Sequence, residues 1–134
     1  MRPIRFARGA LLGAILFQPL AGQAQAEGQA LFQKNCAACH QARGEGIPGA
    51  FPALANNALV QGDPAPLATV LLKGRGGMPD FSASLSDADI AQVLSYVRAS
   101  WGNRAGAVGD AEVAGLRASL RAASAGGGRL SNQH

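Results

Sequence analysis

The residues with the clearest capacity for chemistry are consecutive: Cys36-Ala37-Ala38-Cys39-His40. Two thiols three positions apart at the end of a helix point the same way. Such a pair can add across the two vinyl groups of a haem, giving two thioether bonds, and the histidine that follows is then held beneath the iron as its proximal ligand. Three plainer chemistries use the same residues. A bare Cys-x-x-Cys serves as a thiol–disulfide redox pair, but that use expects a βαβ pattern around it, and none is visible. A zinc site would need Cys36, Cys39, His40 and His134, the last being the final residue of a polar tail. A structural disulfide leaves His40 without a role.

An electron-transfer haem needs a sixth ligand, commonly Met or His. Once a leader is removed (below), Met78 is the only methionine and His134 the only other histidine. Met78 stands in Gly76-Gly77-Met78-Pro79-Asp80-Phe81. Glycines on one side allow close backbone approach to a flat ring, and Pro79 stiffens the other side. Met78 is therefore the expected axial ligand opposite His40.

Arg2, Arg5 and Arg8 open the chain, an apolar stretch of about a dozen residues follows, and Ala24-Gln25-Ala26 closes it in the order of a secretory signal peptide. The apolar run falls short of the roughly 20 residues that span a bilayer, so cleavage after Ala26 is expected rather than a retained anchor. Residues 1–26 are thus read as a cleaved leader, the mature chain as periplasmic and without a membrane span. The formal charge of +4 rests on 12 basic and 8 acidic residues, and three of the basic ones leave with the leader. Nine against eight is +1, with no basic stripe, which excludes a nucleic-acid partner.

Positioning these groups falls to helices. Gly28, Phe32 and Cys36 stand four apart, one face of a helix over residues 27–33 that leads into the motif. Residues 41–77 are rich in Gly and Pro, with one short helix expected from Pro66 to Lys73. Ser86 caps a helix whose apolar residues Ile90, Val93, Leu94 and Val97 recur at helical spacing, expected to run to Trp101 with Gly102 as its C-cap. Residues 104–109 read as a linker, 110–123 as an extra C-terminal helix and 124–134 as a disordered tail. Tyr96 and Trp101 read as packing residues, and Lys73, Arg75 and Arg98 as a solvated face.

With these residues in hand, the stretch from about Glu27 to Trp101 resembles the class I c-type cytochromes, small all-α monohaem electron carriers. Gly-Gly-Met-Pro-Asp-Phe and the helix from Leu85 to Arg98 are similar to cytochrome subunits that accompany bacterial alcohol, aldehyde and sugar dehydrogenases. The resemblance implies N- and C-terminal helices crossing at Gly28 and Phe32 against Val93 and Tyr96, around one covalent haem c. It implies that the Pro52 carbonyl accepts the His40 Nδ1–H, and that Leu54 and Phe81 line the haem pocket. It implies a single-electron carrier, not an enzyme, docking transiently on a periplasmic or membrane-bound dehydrogenase or a terminal oxidase. A haem-based sensor, in which a small molecule displaces Met78, is the alternative, followed by the thiol–disulfide oxidoreductase.

Overall fold

A computed structural model describes residues 21–130, and all regular structure in that range is helical. Most of the expected leader, and the tail from 131 onward with His134, lie outside the described residues. The elements are α1 (Ala21–Asn35), α2 (Ala37–His40), α3 (Ala58–Gln61), α4 (Pro64–Lys73), α5 (Asp87–Arg98) and α6 (Asp110–Leu130). Among the described residues, the only bridges between extended residues are the isolated pairs Ile47 with Phe51 and Arg75 with Met78. No described helix is long and apolar enough to cross a membrane.

The principal packing is α1 across α5, with Tyr96 at the crossing as expected and Gln92, in place of Val93, closest to Gly28. A Cβ on Gly28 would lie 2.4 Å from the Gln92 carbonyl oxygen and 2.8 Å from Tyr96 Cβ, so only glycine allows the two backbones to approach this closely. Phe32, one turn on, is fully buried and meets Tyr96 and Trp101 with ring centroids 5.8 and 4.9 Å away. Tyr96 and Trp101 complete the cluster edge to face at 5.5 Å. All three rings thus serve packing, as expected of a core with few aromatics. The remainder is aliphatic: Val60, Leu67, Leu71, Leu72, Leu85, Ile90, Val93, Leu94, Val97, Val108 and Val113 are buried.

Several helix boundaries differ from the sequence reading, each for a local reason. α4 begins at Pro64 rather than Pro66, because the Asp63 carboxylate accepts from Ala65 N–H and caps it. α3 was not expected. It is one turn, created by the Asn57 side chain accepting from Leu59 and Val60 N–H. α5 ends at Arg98, short of Trp101. Its terminal carbonyl at Val97 is closed by the Asn103 amide at 2.9 Å, a long-range cap that makes Gly102 unnecessary in that role. The 104–109 segment is tied down at two points: Arg98 Nε donates to the Gly106 carbonyl, and Val108 N–H donates to Ser95 Oγ. α6 continues to Leu130, past the expected end at residue 123, and the 124–130 part of the expected tail is helical. Its seat on the core is Val113, fully buried, with Leu116 and Leu120 packed alongside.

Candidate functional site

α1 hands the chain directly to the thiol motif. Cys36 N–H donates to the Phe32 carbonyl at 2.9 Å, and the turn then closes as Cys39 and His40 N–H both donate to the Cys36 carbonyl. Cys36, Cys39 and His40 therefore share one turn. Both cysteines are free thiols, Cys36 half-buried and Cys39 exposed. Burial, reinforced by the neighbouring Cys39, pushes the Cys36 thiol up to about 11. Thiol–disulfide exchange proceeds through a thiolate, which redox enzymes obtain by lowering this value. Cys36 is therefore poorly set to be the attacking thiol of such a reaction.

His40 is 7% exposed, and its Nδ1 lies 2.9 Å from the Pro52 carbonyl oxygen. A carbonyl only accepts, so in this bond Nδ1 carries the proton, and the neutral ring then has its lone pair on Nε2. Nothing hydrogen-bonds to Nε2. Since no buried side-chain nitrogen or oxygen among the described residues lacks a partner, Nε2 faces accessible space. A neutral imidazole held in one tautomer, with its free nitrogen outward, is the form in which histidine ligates a metal.

The loop that supplies Pro52 is built on two glycines. Gly44 carries φ +65° and lies under the Trp101 ring, where a Cβ would come within 2.5 Å of Cε3. Gly46 carries φ +63°, and a Cβ there would strike the Phe51 carbonyl oxygen at 2.5 Å. The Gly44 carbonyl then accepts from Leu54 N–H at 2.7 Å, which holds Leu54 at the edge of the core. From the far side, buried Asn103 donates to the Leu54 carbonyl and accepts from Asn57 N–H.

Met78 comes from the α4–α5 connection. Arg75 and Met78 exchange backbone hydrogen bonds of 3.2 and 3.0 Å, and Phe81 N–H donates to the Leu71 carbonyl of α4. Met78, Leu54, Phe81 and Cys36 all pack against the same core cluster without being fully covered by it. Ile47 and Phe51 stand 41% and 38% exposed.

These residues fit a covalent haem. Two free thiols share a turn with an imidazole whose lone pair is outward, and a thioether and apolar side chains at the margin of the core are left partly uncovered by protein. No group of three His, Cys, Asp or Glu that could hold a metal ion occurs among the described residues, and the zinc reading depended on His134, outside them. Sequence reasoning missed Asn103, whose contacts are with residues 46 and 49 positions away. It also misplaced Arg98. That side chain is 5% exposed and donates to the carbonyls of Val60, Gly62 and Gly106, so it belongs to the interior and not to a solvated face.

The family described as cytochrome c oxidase, cbb3-type, subunit III matches residues 23–97. The chain is 37% identical over 107 residues to the cytochrome c subunit of a quinone alcohol dehydrogenase from Gluconacetobacter polyoxogenes, covering 70% of this chain and 23% of that protein. It is 32% identical over 104 residues to the gluconate 2-dehydrogenase cytochrome c subunit of Pantoea cypripedii, covering 67% of this chain and 24% of that protein. It is 38% identical over 95 residues to a cytochrome c-552 of Thermus thermophilus, covering 59% of this chain and 71% of that protein. The chain thus spans about a quarter of the length of the dehydrogenase subunits it matches.

Proposed function

The chain belongs to the cytochrome c family that includes subunit III of cbb3-type oxidases, and from that premise we propose that it is a periplasmic electron carrier with a single His/Met-ligated haem c. The family carries haem c bound covalently. In this chain Cys36 and Cys39 would hold it through thioethers, with His40 Nε2 and the Met78 sulfur as axial ligands. Bound there, the haem supplies one-electron exchange at its iron.

The observation that carries this reading is the His40–Pro52 bond beside two free thiols on the same turn. The bond sets the tautomer and raises the basicity of the free nitrogen, so His40 is prepared as a ligand before any metal is present. Leu54 and Phe81, partly buried at the margin of the core, would add apolar walls to the haem pocket. An apolar surround favours the redox state of lower charge. Met78, a soft neutral donor, favours the same state.

With both His40 and Met78 holding the iron, no place would be left for a substrate at the metal, which supports a carrier rather than an enzyme. The partner is then a protein, and its class follows from the relatives: a periplasmic or membrane-bound dehydrogenase as donor and a terminal oxidase as acceptor. Ile47 and Phe51 provide an exposed apolar surface next to Pro52 on which such a partner could dock.

The test is a pyridine haemochrome spectrum of the purified mature protein after denaturation and acid–acetone extraction. Haem retained on the chain at one equivalent, through two saturated vinyl groups, is the expected result. Haem that extracts, or two equivalents, contradicts the proposal.

A further inference from the structure

The Met78 loop is restrained on both sides of the methionine. A Cβ added at Gly76 or Gly77 would meet nothing within 4 Å, so the tip of the turn is open, while the Arg75–Met78 backbone pair and Gly74, close against the Met78 carbonyl, hold its base. Downstream, a further restraint comes from α6. The Arg117 side chain is 11% exposed and directs its two terminal guanidinium nitrogens at the segment between Met78 and α5 and its Nε at the first residue of α5. Nε donates to Asp87 Oδ1 at 2.6 Å, one terminal nitrogen to the Ser82 carbonyl, and the other to the Leu85 carbonyl at 3.0 Å. Those acceptors stand 30 to 35 residues before Arg117 in the chain. The helix bearing Arg117 is itself seated through buried Val113, so the guanidinium is presented from a fixed platform. A planar fork pairing with a carboxylate and two carbonyls fixes direction as well as distance.

We propose that Arg117 is a positioning residue that fixes the Met78 loop against α6, and thereby sets how readily the Met78 sulfur yields its place to an external ligand. This rests on the assignment of Met78 as axial ligand made above. A lysine at 117 offers one point charge in place of the fork, so it reaches one acceptor and leaves the others unpaired. Arg121, one turn further along α6 and exposed, has no such contact and serves as the comparison.

The experiment uses full-length, haem-loaded protein in its ferric form and follows imidazole binding by stopped-flow absorbance. Saturating imidazole reads the rate at which the Met78 loop opens. Arg117→Ala is expected to raise that rate about tenfold, consistent with loss of hydrogen bonds to a charged group. Arg117→Lys is expected between wild type and Arg117→Ala, and Arg121→Ala at the wild-type rate. If Arg117→Ala yields no folded protein, the Arg117→Lys rate decides. Rates within twofold of wild type for the Arg117 variants, with the weak red charge-transfer band of Met ligation intact, overturn the proposal. Met78→Ala, alone and with Arg117→Ala, separates the two assignments. Equal, fast binding in both places the effect of Arg117 on the Met78 step. A Met78→Ala protein that keeps the red band overturns the ligand assignment, and the role of Arg117 with it.

Discussion

His40 and Pro52, twelve residues apart, are joined by a 2.9 Å hydrogen bond from the imidazole Nδ1–H to the backbone carbonyl. The chain reaches this geometry only because Gly44 and Gly46 turn it back under Trp101. Pro52→Ala keeps the carbonyl but frees its φ angle. We expect a loss of roughly 0.4–1 kcal/mol from the more flexible unfolded chain, measured by urea unfolding. A less firmly held carbonyl makes His40 a weaker donor to the higher oxidation state, so the reduction potential should rise. A fall would mean that the bond does not act on ligand strength.

Gly28→Ala places a methyl group against the Gln92 carbonyl at the α1–α5 crossing. Overpacking of this kind costs about 1–3 kcal/mol, with more where backbone must move. Gly115 lies within α6 and has nothing within 4 Å of an added Cβ. Gly115→Ala should therefore stabilise by about 0.5–1 kcal/mol, the ordinary helix preference. Thermal unfolding of the two variants should move in opposite directions, and the same sign for both would contradict the crossing geometry.

Ser86 and Asp89 form a reciprocal capping box at the start of α5. The Ser86 hydroxyl, and after it the Ser86 backbone N–H, hold the Asp89 carboxyl below its ordinary 3.8. A carboxyl lowered on folding contributes stability that is complete above its unfolded value and is lost as pH falls through the folded one. Ser86→Ala should cost about 1 kcal/mol near neutral pH. It should also flatten, without abolishing, the decline of stability below pH 3.8, because the backbone donor remains. Urea unfolding at pH 7 and again at low pH checks both parts.

Met78, Phe81, Leu54 and Cys36 border the core but are not covered by it, and the core itself is mainly aliphatic. A chain unable to attach haem should lack the apolar mass that completes this interior. Cys36→Ala with Cys39→Ala is expected to give a protein without a cooperative thermal transition by circular dichroism. A sharp melt would show that the polypeptide core suffices.

The parts legible in the sequence are those encoded by neighbours. Cys36, Cys39 and His40 are nearly consecutive, and the apolar period of α5 and its Ser86 cap are local. Gly28 was also legible, because helix periodicity puts it on the face of Phe32 and Cys36. What escaped was encoded across the fold. Arg98 looks like any exposed helix cation until the carbonyls of Val60 and Gly62 converge on it from 38 and 36 residues away. Asn103 ends α5 from beyond Gly102, which is why glycine placement misjudged that boundary. Arg117 carries no local signal in the sequence, and its partners Ser82, Leu85 and Asp87 appear only when α6 is seated. In each case a side chain satisfies backbone groups of a distant loop, and no period or spacing announces it.

The reduction potential of Met78→Ala, set beside that of the intact protein and read together with the ferric spectrum, tests the His40/Met78-ligated carrier most directly. The expected result is a low-spin six-coordinate ferric wild type with the weak red band. In the variant that band should be lost and the potential lower. High-spin iron in the wild type would instead favour a sensor with an open position, and a potential and spectrum unchanged by the substitution would show that Met78 is not the ligand.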